Sequence, residues 1–135
     1  MDGLRIGAEP RSGLRAYILR HWRGGFSLGF AFWVNGALLG LFAELLLGLR
    51  DQAVEALGLS GHGGVAAVLL VISLAAYLAF FAWQATGVAR SASAHEEHGG
   101  RRLWALLARC VLVVAAIGVP LLLMDEFATL RALFA

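Results

Sequence analysis

Residues 65–86 read VAAVLLVISLAAYLAFFAWQAT, an unbroken apolar run without one charged side chain. A hydrocarbon core about 30 Å thick is crossed by ~20 helical residues, so this stretch is long enough to span a bilayer. Two blocks of similar character flank it, from Ser27 to Gly48 and from Leu103 to Met124. Hydrophobic residues make up 60% of the 135 and charged residues 15%, where an ordinary soluble domain carries about 45–50% and about 25%. Mean hydropathy is +0.77. The sequence therefore predicts an all-α membrane protein with three transmembrane helices. They cover 27–48, 65–98 (the membrane part about 65–86, then a cytoplasmic extension) and 103–124.

Outward from these spans the chain turns polar. Residues 1–12, MDGLRIGAEPRS, are broken by Gly3, Gly7 and Pro10 and predict a flexible terminus. In 13–24, GLRAYILRHWRG, spacings of three and four place Leu14, Tyr17, Ile18 and Trp22 on one face, away from Arg15, Arg20 and Arg23. That pattern predicts a short basic amphipathic helix in the membrane interface, apolar side down. Gly24-Gly25 lets the chain turn, and Ser27 is available as the N-cap of the first span. Loop 49–64 is mixed in charge. Gly99 is placed to stop the second helix, Pro120 to kink the third, and 125–135 to form an amphipathic tail along the opposite surface.

All eleven basic residues are arginine, against nine acids. Arg5, Arg11, Arg15, Arg20 and Arg23 precede the first span, and Arg90, Arg101 and Arg102 lie between the second and third. Only Arg50 and Arg131 lie near the opposite ends. The positive-inside rule predicts a cytoplasmic N-terminus and an outward C-terminus. Trp22, Trp33, Trp83 and Trp104 all fall toward the inner side, where tryptophan sits at headgroup level. His21 and these arginines and tryptophans are read as contacts to anionic lipid headgroups or a partner, with no role for nucleic acid. The single cysteine, Cys110, excludes an internal disulfide and reads as a small buried hydrophobe. The first apolar block is too long for a cleavable leader and lacks a small-x-small site.

Four constellations bear on chemistry. Gly36, Gly40, Glu44 and Gly48 recur every four residues, with Gly29 extending the face, a stripe that lets another helix approach closely. It serves packing against the chain's own spans, self-association or a partner. Glu44 lies roughly 25 Å along the first span at about 1.5 Å per residue, near the outer edge, where it reaches water, pairs with Arg50 or serves an ion path. Asn35, Gln84 and Arg109 fall at one depth in the inner third and predict an intramembrane polar cluster fixing helix register, with a lipid-headgroup or small-anion site at Arg109 as the lesser reading. His95 and His98 share a helix face as weak metal candidates, but four ligands are wanted and only His21 stands near. Glu96 and Glu97 more simply neutralise Arg101 and Arg102.

The sequence holds no P-loop, Rossmann glycine pattern, HExxH or GxSxG, and no carboxylate pair at catalytic spacing. It predicts neither an enzyme nor a cofactor protein.

Two stretches taken together, RHWRGGFSLGFAFWVNG (20–36) and FAWQATGVARSASAH (81–95), resemble a family of small proteobacterial inner-membrane proteins or membrane modules. In that family an HWRG-x-x-SL…WVN opening is followed by a W-x-x-x-G-x-x-RSA exit. The resemblance covers about a third of the chain and implies a bacterial inner-membrane location without implying catalytic residues. It also implies that His21, Trp22, Arg23, Ser27, Trp33, Asn35, Trp83, Gln84, Gly87, Arg90 and Ser91 converge at the inner face. The expected role is a non-catalytic subunit or scaffold docking on a larger membrane complex through the glycine face and the arginine-rich surface. The alternatives are a homo-oligomeric channel or carrier built on Glu44, and a lipid-interacting, membrane-shaping protein.

Overall fold

The computed structural model describes residues 13–59 and 63–132. The expected flexible terminus 1–12 lies outside the described residues, as do 60–62 and the last three residues of the expected tail. Among the described residues the chain is helical without a strand. A short helix α1 (Leu14–Trp22) is followed by three long ones, α2 (Leu28–Ala56), α3 (Gly63–Glu97) and α4 (Arg102–Ala132).

The turns follow from glycine. After α1 the Gly25 N–H donates to the Arg20 carbonyl and the Gly24 N–H to the His21 carbonyl, each at 2.9 Å, with Gly24 at φ +74°. After α3 the Gly100 N–H reaches His95 at 2.8 Å and Gly99 reaches Glu96 at 3.1 Å, with Gly99 at φ +78°. Both are Schellman closures, whose left-handed residue a Cβ would strain.

Three local expectations change. Ser27 precedes α2 but makes no side-chain capping bond. The helix of the first span does not stop at Gly48; α2 continues to Ala56 because LRDQAVEA contains no Gly or Pro to stop it. Residues 125–132 do not turn onto the surface, since α4 runs through Pro120 to Ala132 without a break. Within α2, Ala31–Leu38 is wound as a π-helix.

All three long helices are long and apolar enough to cross a membrane. The arrangement of side chains supports that, because it inverts the soluble pattern. Leu41, Val114 and Leu121 point outward at 69%, 69% and 65% exposure, while His21, Asn35 and Ser91 are buried. The apolar core is a small cluster of Leu28, Ala31, Val88, Ala92, Ala105 and Ala108, at the arginine-rich end of the bundle. With side chains this short the helices approach closely and gain dispersion contacts, the usual source of cohesion where lipid is as apolar as leucine. The chain is a multi-pass membrane protein. Cys110 faces outward from α4 and does not fill the core.

Candidate functional site

The most deeply buried polar side chains meet where α1 lies against α2 and α3. The α1 turn LRAYILRHW puts Tyr17 and His21 four residues apart and so on one face. That face is turned into the protein, with His21 fully buried, while Leu14, Ile18 and Trp22 stay exposed. His21 is therefore not a lipid or partner contact at the surface. Its ring rests on Gly87, where a methyl group would overlap it, and stands 4.5 Å from the Trp83 ring centroid.

Asn35 is the hub. Its Nδ2 donates to His21 Nδ1 at 2.9 Å, its Oδ1 accepts from the Tyr17 hydroxyl, and its backbone carbonyl accepts from Gln84 Nε2. The π-helical winding makes the last bond available: the Leu39 N–H, the usual α-helical donor to that carbonyl, is directed to Val34 and Gly36 instead. Because Asn35 Nδ2 can only donate, the Nδ1 of neutral His21 must accept, which puts the proton on Nε2. Burial lowers the His21 pKa from 6.5; the Gln84 backbone carbonyl opposes part of that shift, although Nε2 itself has no hydrogen-bond partner.

Residues expected at the headgroups instead tie α1 to α3. Trp83 Nε1 donates to the Ile18 carbonyl at 3.0 Å. Arg90 donates to the Trp22 carbonyl at 2.7 Å and lies 5.1 Å from the Trp22 ring centroid. That carbonyl belongs to the last turn of α1, which has no helical donor for it. Arg20 folds back on its own turn, donating to the Gly25 carbonyl at 3.0 Å over the Phe26 ring. Arg15, Arg23, Arg101 and Arg102 remain exposed, and Trp33 and Trp104 point outward at 67% and 57% exposure.

Arg109 does not join the Asn35–Gln84 cluster. It reaches toward the end of α3, pairing with Glu96 at 2.7 Å and donating to Ser93 at 3.2 Å, as a long arginine stem does when its root is in an apolar belt. Glu96 is thus engaged by Arg109 and not by Arg101 or Arg102. His98 Nδ1 bonds the Ala94 carbonyl at 2.6 Å, and the His95 ring lies against Gly100. Among the described residues no group of three or more His, Cys, Asp or Glu is placed to hold a metal.

At the other end, Glu44 accepts from the Tyr77 hydroxyl at 2.6 Å and makes no pair with Arg50. Arg50 instead joins all three spans. It donates to Ser73 on α3 and to Glu126 on α4, each at 2.8 Å, and to its neighbour Asp51 at 2.8 Å. The Arg50 and Glu126 side chains are only 13% and 9% exposed. From Leu28 to Arg50 is roughly 33 Å of helix at about 1.5 Å per residue, so this clamp and the arginine-rich end bracket one hydrocarbon thickness. The glycine stripe is divided. A methyl at Gly36 would touch Val88 at 3.6 Å and one at Gly40 would touch Gln84 at 3.8 Å, whereas Gly29 and Gly48 have nothing within 4 Å.

The sequence reading missed the inward turn of His21 and the Arg50–Glu126 pair. The four-residue spacing of Tyr17 and His21 was a usable signal for the first; the second had none, since its partners lie far apart in the chain. Comparison with protein-family models, with curated proteins and with solved structures found no match to this chain.

Proposed function

We propose that the protein is a non-catalytic scaffold or accessory subunit of a bacterial inner membrane, N-terminus in and C-terminus out, that docks on a larger membrane complex. The observation that supports this most is the intramolecular matching of the bundle's polar side chains. Tyr17, His21, Asn35 and Gln84 bond one another at one end, with only His21 Nε2 of that group left over, and Arg50, Ser73 and Glu126 do so at the other. Groups spent on fixing helix register are not arrayed along a conduction path, and this weighs against the channel reading. The face available to a partner is the outer half of α2, where exposed Glu44 and open Gly48 lie on one stripe, together with Arg15, Arg23, Arg101 and Arg102 at the inner surface. The Tyr77 hydroxyl meets one Glu44 oxygen, and the rest of a carboxylate on an apolar helix face is costly unless a further polar group meets it.

The test is purification from the native membrane in mild detergent, with mass determination. Larger subunits at fixed stoichiometry, lost on Gly48→Leu or Glu44→Gln, are expected. A homogeneous ring of identical chains whose ion flux is abolished by Glu44→Gln would replace this reading with the channel.

A further inference from the structure

A second feature lies at the inner end, on the side of α3 beyond the polar junction. The turn from Gly24 to Ser27 and the end of α3 border an open cup of about 380 Å³, lined among others by Ser91, His95 and His98. Directly beside it runs an apolar groove of about 530 Å³ between α2 and α4, walled by Phe32, Trp33, Trp104 and Leu107. Leu28 and His95 line both, so cup and groove adjoin.

The cup is built for a negative group. Ser91 is 1% exposed, and its hydroxyl has no hydrogen-bond partner, a cost the fold carries unless a ligand meets it. The N-terminus of α2 opens on the cup at Ser27 and Leu28. Its first N–H groups have no helical acceptor and no side-chain cap, and they carry the positive end of the helix dipole. Arg23 precedes the cup residue Gly24 in sequence, and Arg101 and Arg102 follow the Gly100 that covers His95; none of the three forms an ion pair among the described residues. The groove is built for hydrocarbon. Trp33 and Trp104 are exposed beside it, and Gly29, on its wall, leaves open space where any other residue would place a side chain.

We infer that cup and groove together bind one anionic glycerophospholipid, its phosphate against the α2 N-terminus and Ser91 and an acyl chain along the groove past Gly29. This depth matches the inner headgroup level set by the arginines, where anionic lipids meet basic segments. A free anion would use only the cup. A zwitterionic lipid carries the same phosphate but adds a headgroup cation that the surrounding arginines repel, so it gains less.

The experiment is native mass spectrometry of the full chain in mild detergent, titrated with phosphatidylglycerol, phosphatidylcholine or inorganic phosphate. One phosphatidylglycerol retained per chain is expected, with phosphatidylcholine weaker. Ser91→Ala should weaken retention on the order of tenfold, the usual worth of a hydrogen bond to a charged group. Gly29→Leu should fill the groove and abolish retention. Ser91→Ala breaks no hydrogen bond and Gly29→Leu enters open space, so undiminished thermal stability separates lost binding from lost structure. Equal retention by both variants would overturn the site, as would equal retention of phosphatidylcholine. Competition by inorganic phosphate with Gly29→Leu silent would assign the cup to a free anion instead.

Discussion

Asn35 Nδ2 and His21 Nδ1 lie 2.9 Å apart, in two residues with no exposed surface. This bond joins the helix that precedes the bundle to the first span. It exists only while His21 is neutral, because an imidazolium would present a second donor to the Asn35 amide.

The sign of the pH dependence follows. The His21 pKa is lowered by burial, so between that value and about 6.5 the unfolded chain binds more protons than the folded one. The contribution is fully present above about 6.5 and is lost as pH falls below it. Thermal unfolding in detergent should show a midpoint that declines from pH 7 toward pH 5. In His21→Phe that slope should flatten, whatever the absolute stability. An unchanged slope would assign the dependence to other groups.

Asn35 serves three partners, and its replacements should grade accordingly. Asn35→Ala leaves Tyr17 and His21 without their acceptor and donor, and is expected to cost about 2 kcal/mol, between the roughly 0.6–2 kcal/mol of an interhelical bond and the larger penalty of orphaned buried groups. Tyr17→Phe removes one bond and strands only the Asn35 Oδ1, and should cost less, about 1 kcal/mol. Unfolding in mixed micelles with increasing SDS would measure both.

Gly87 and Gly48 should behave oppositely. A methyl at Gly87 overlaps the His21 ring, while one at Gly48 meets nothing within 4 Å. Gly87→Ala should dislodge α1 and speed tryptic cleavage at Arg20 and Arg23; Gly48→Ala should leave the digest unchanged. Slow cleavage in Gly87→Ala would mean that α1 stays docked without the His21 contact.

The Arg50–Glu126 clamp predicts a thermodynamic cycle. Arg50→Met strands the poorly hydrated Glu126 carboxylate and should cost about 3–5 kcal/mol, whereas Glu126→Leu leaves Arg50 its Asp51 partner and should cost less. The double variant should recover most of that loss. Additive losses would show that the two side chains act independently.

The sequence by itself determined the three spans, because transfer into hydrocarbon sums locally along a helix, and a run such as 65–86 needs no tertiary partner to be apolar. Gly99 as a stop for α3 was equally local, a left-handed turn that glycine takes without strain. The end of α2 was less legible: nothing in 49–56 either breaks a helix or demands one, and the continuation to Ala56 overrode the change in polarity. What the tertiary structure decided was rotational phase. Periodicity grouped Tyr17 with Leu14, Ile18 and Trp22 and assigned that face to lipid, but the face divides. Gly87 leaves a space on α3 that the His21 ring fills, turning Tyr17 and His21 inward and leaving the other three outside. Depth alone put Asn35, Gln84 and Arg109 together. Helix rotation and the length of the arginine stem sent Arg109 to Glu96, and gave Arg50 the distant Glu126 instead of its own-helix neighbour Glu44. In a bundle whose outer surface is as apolar as its solvent, hydrophobicity sets how far each helix runs, and the polar pairs decide which way it faces.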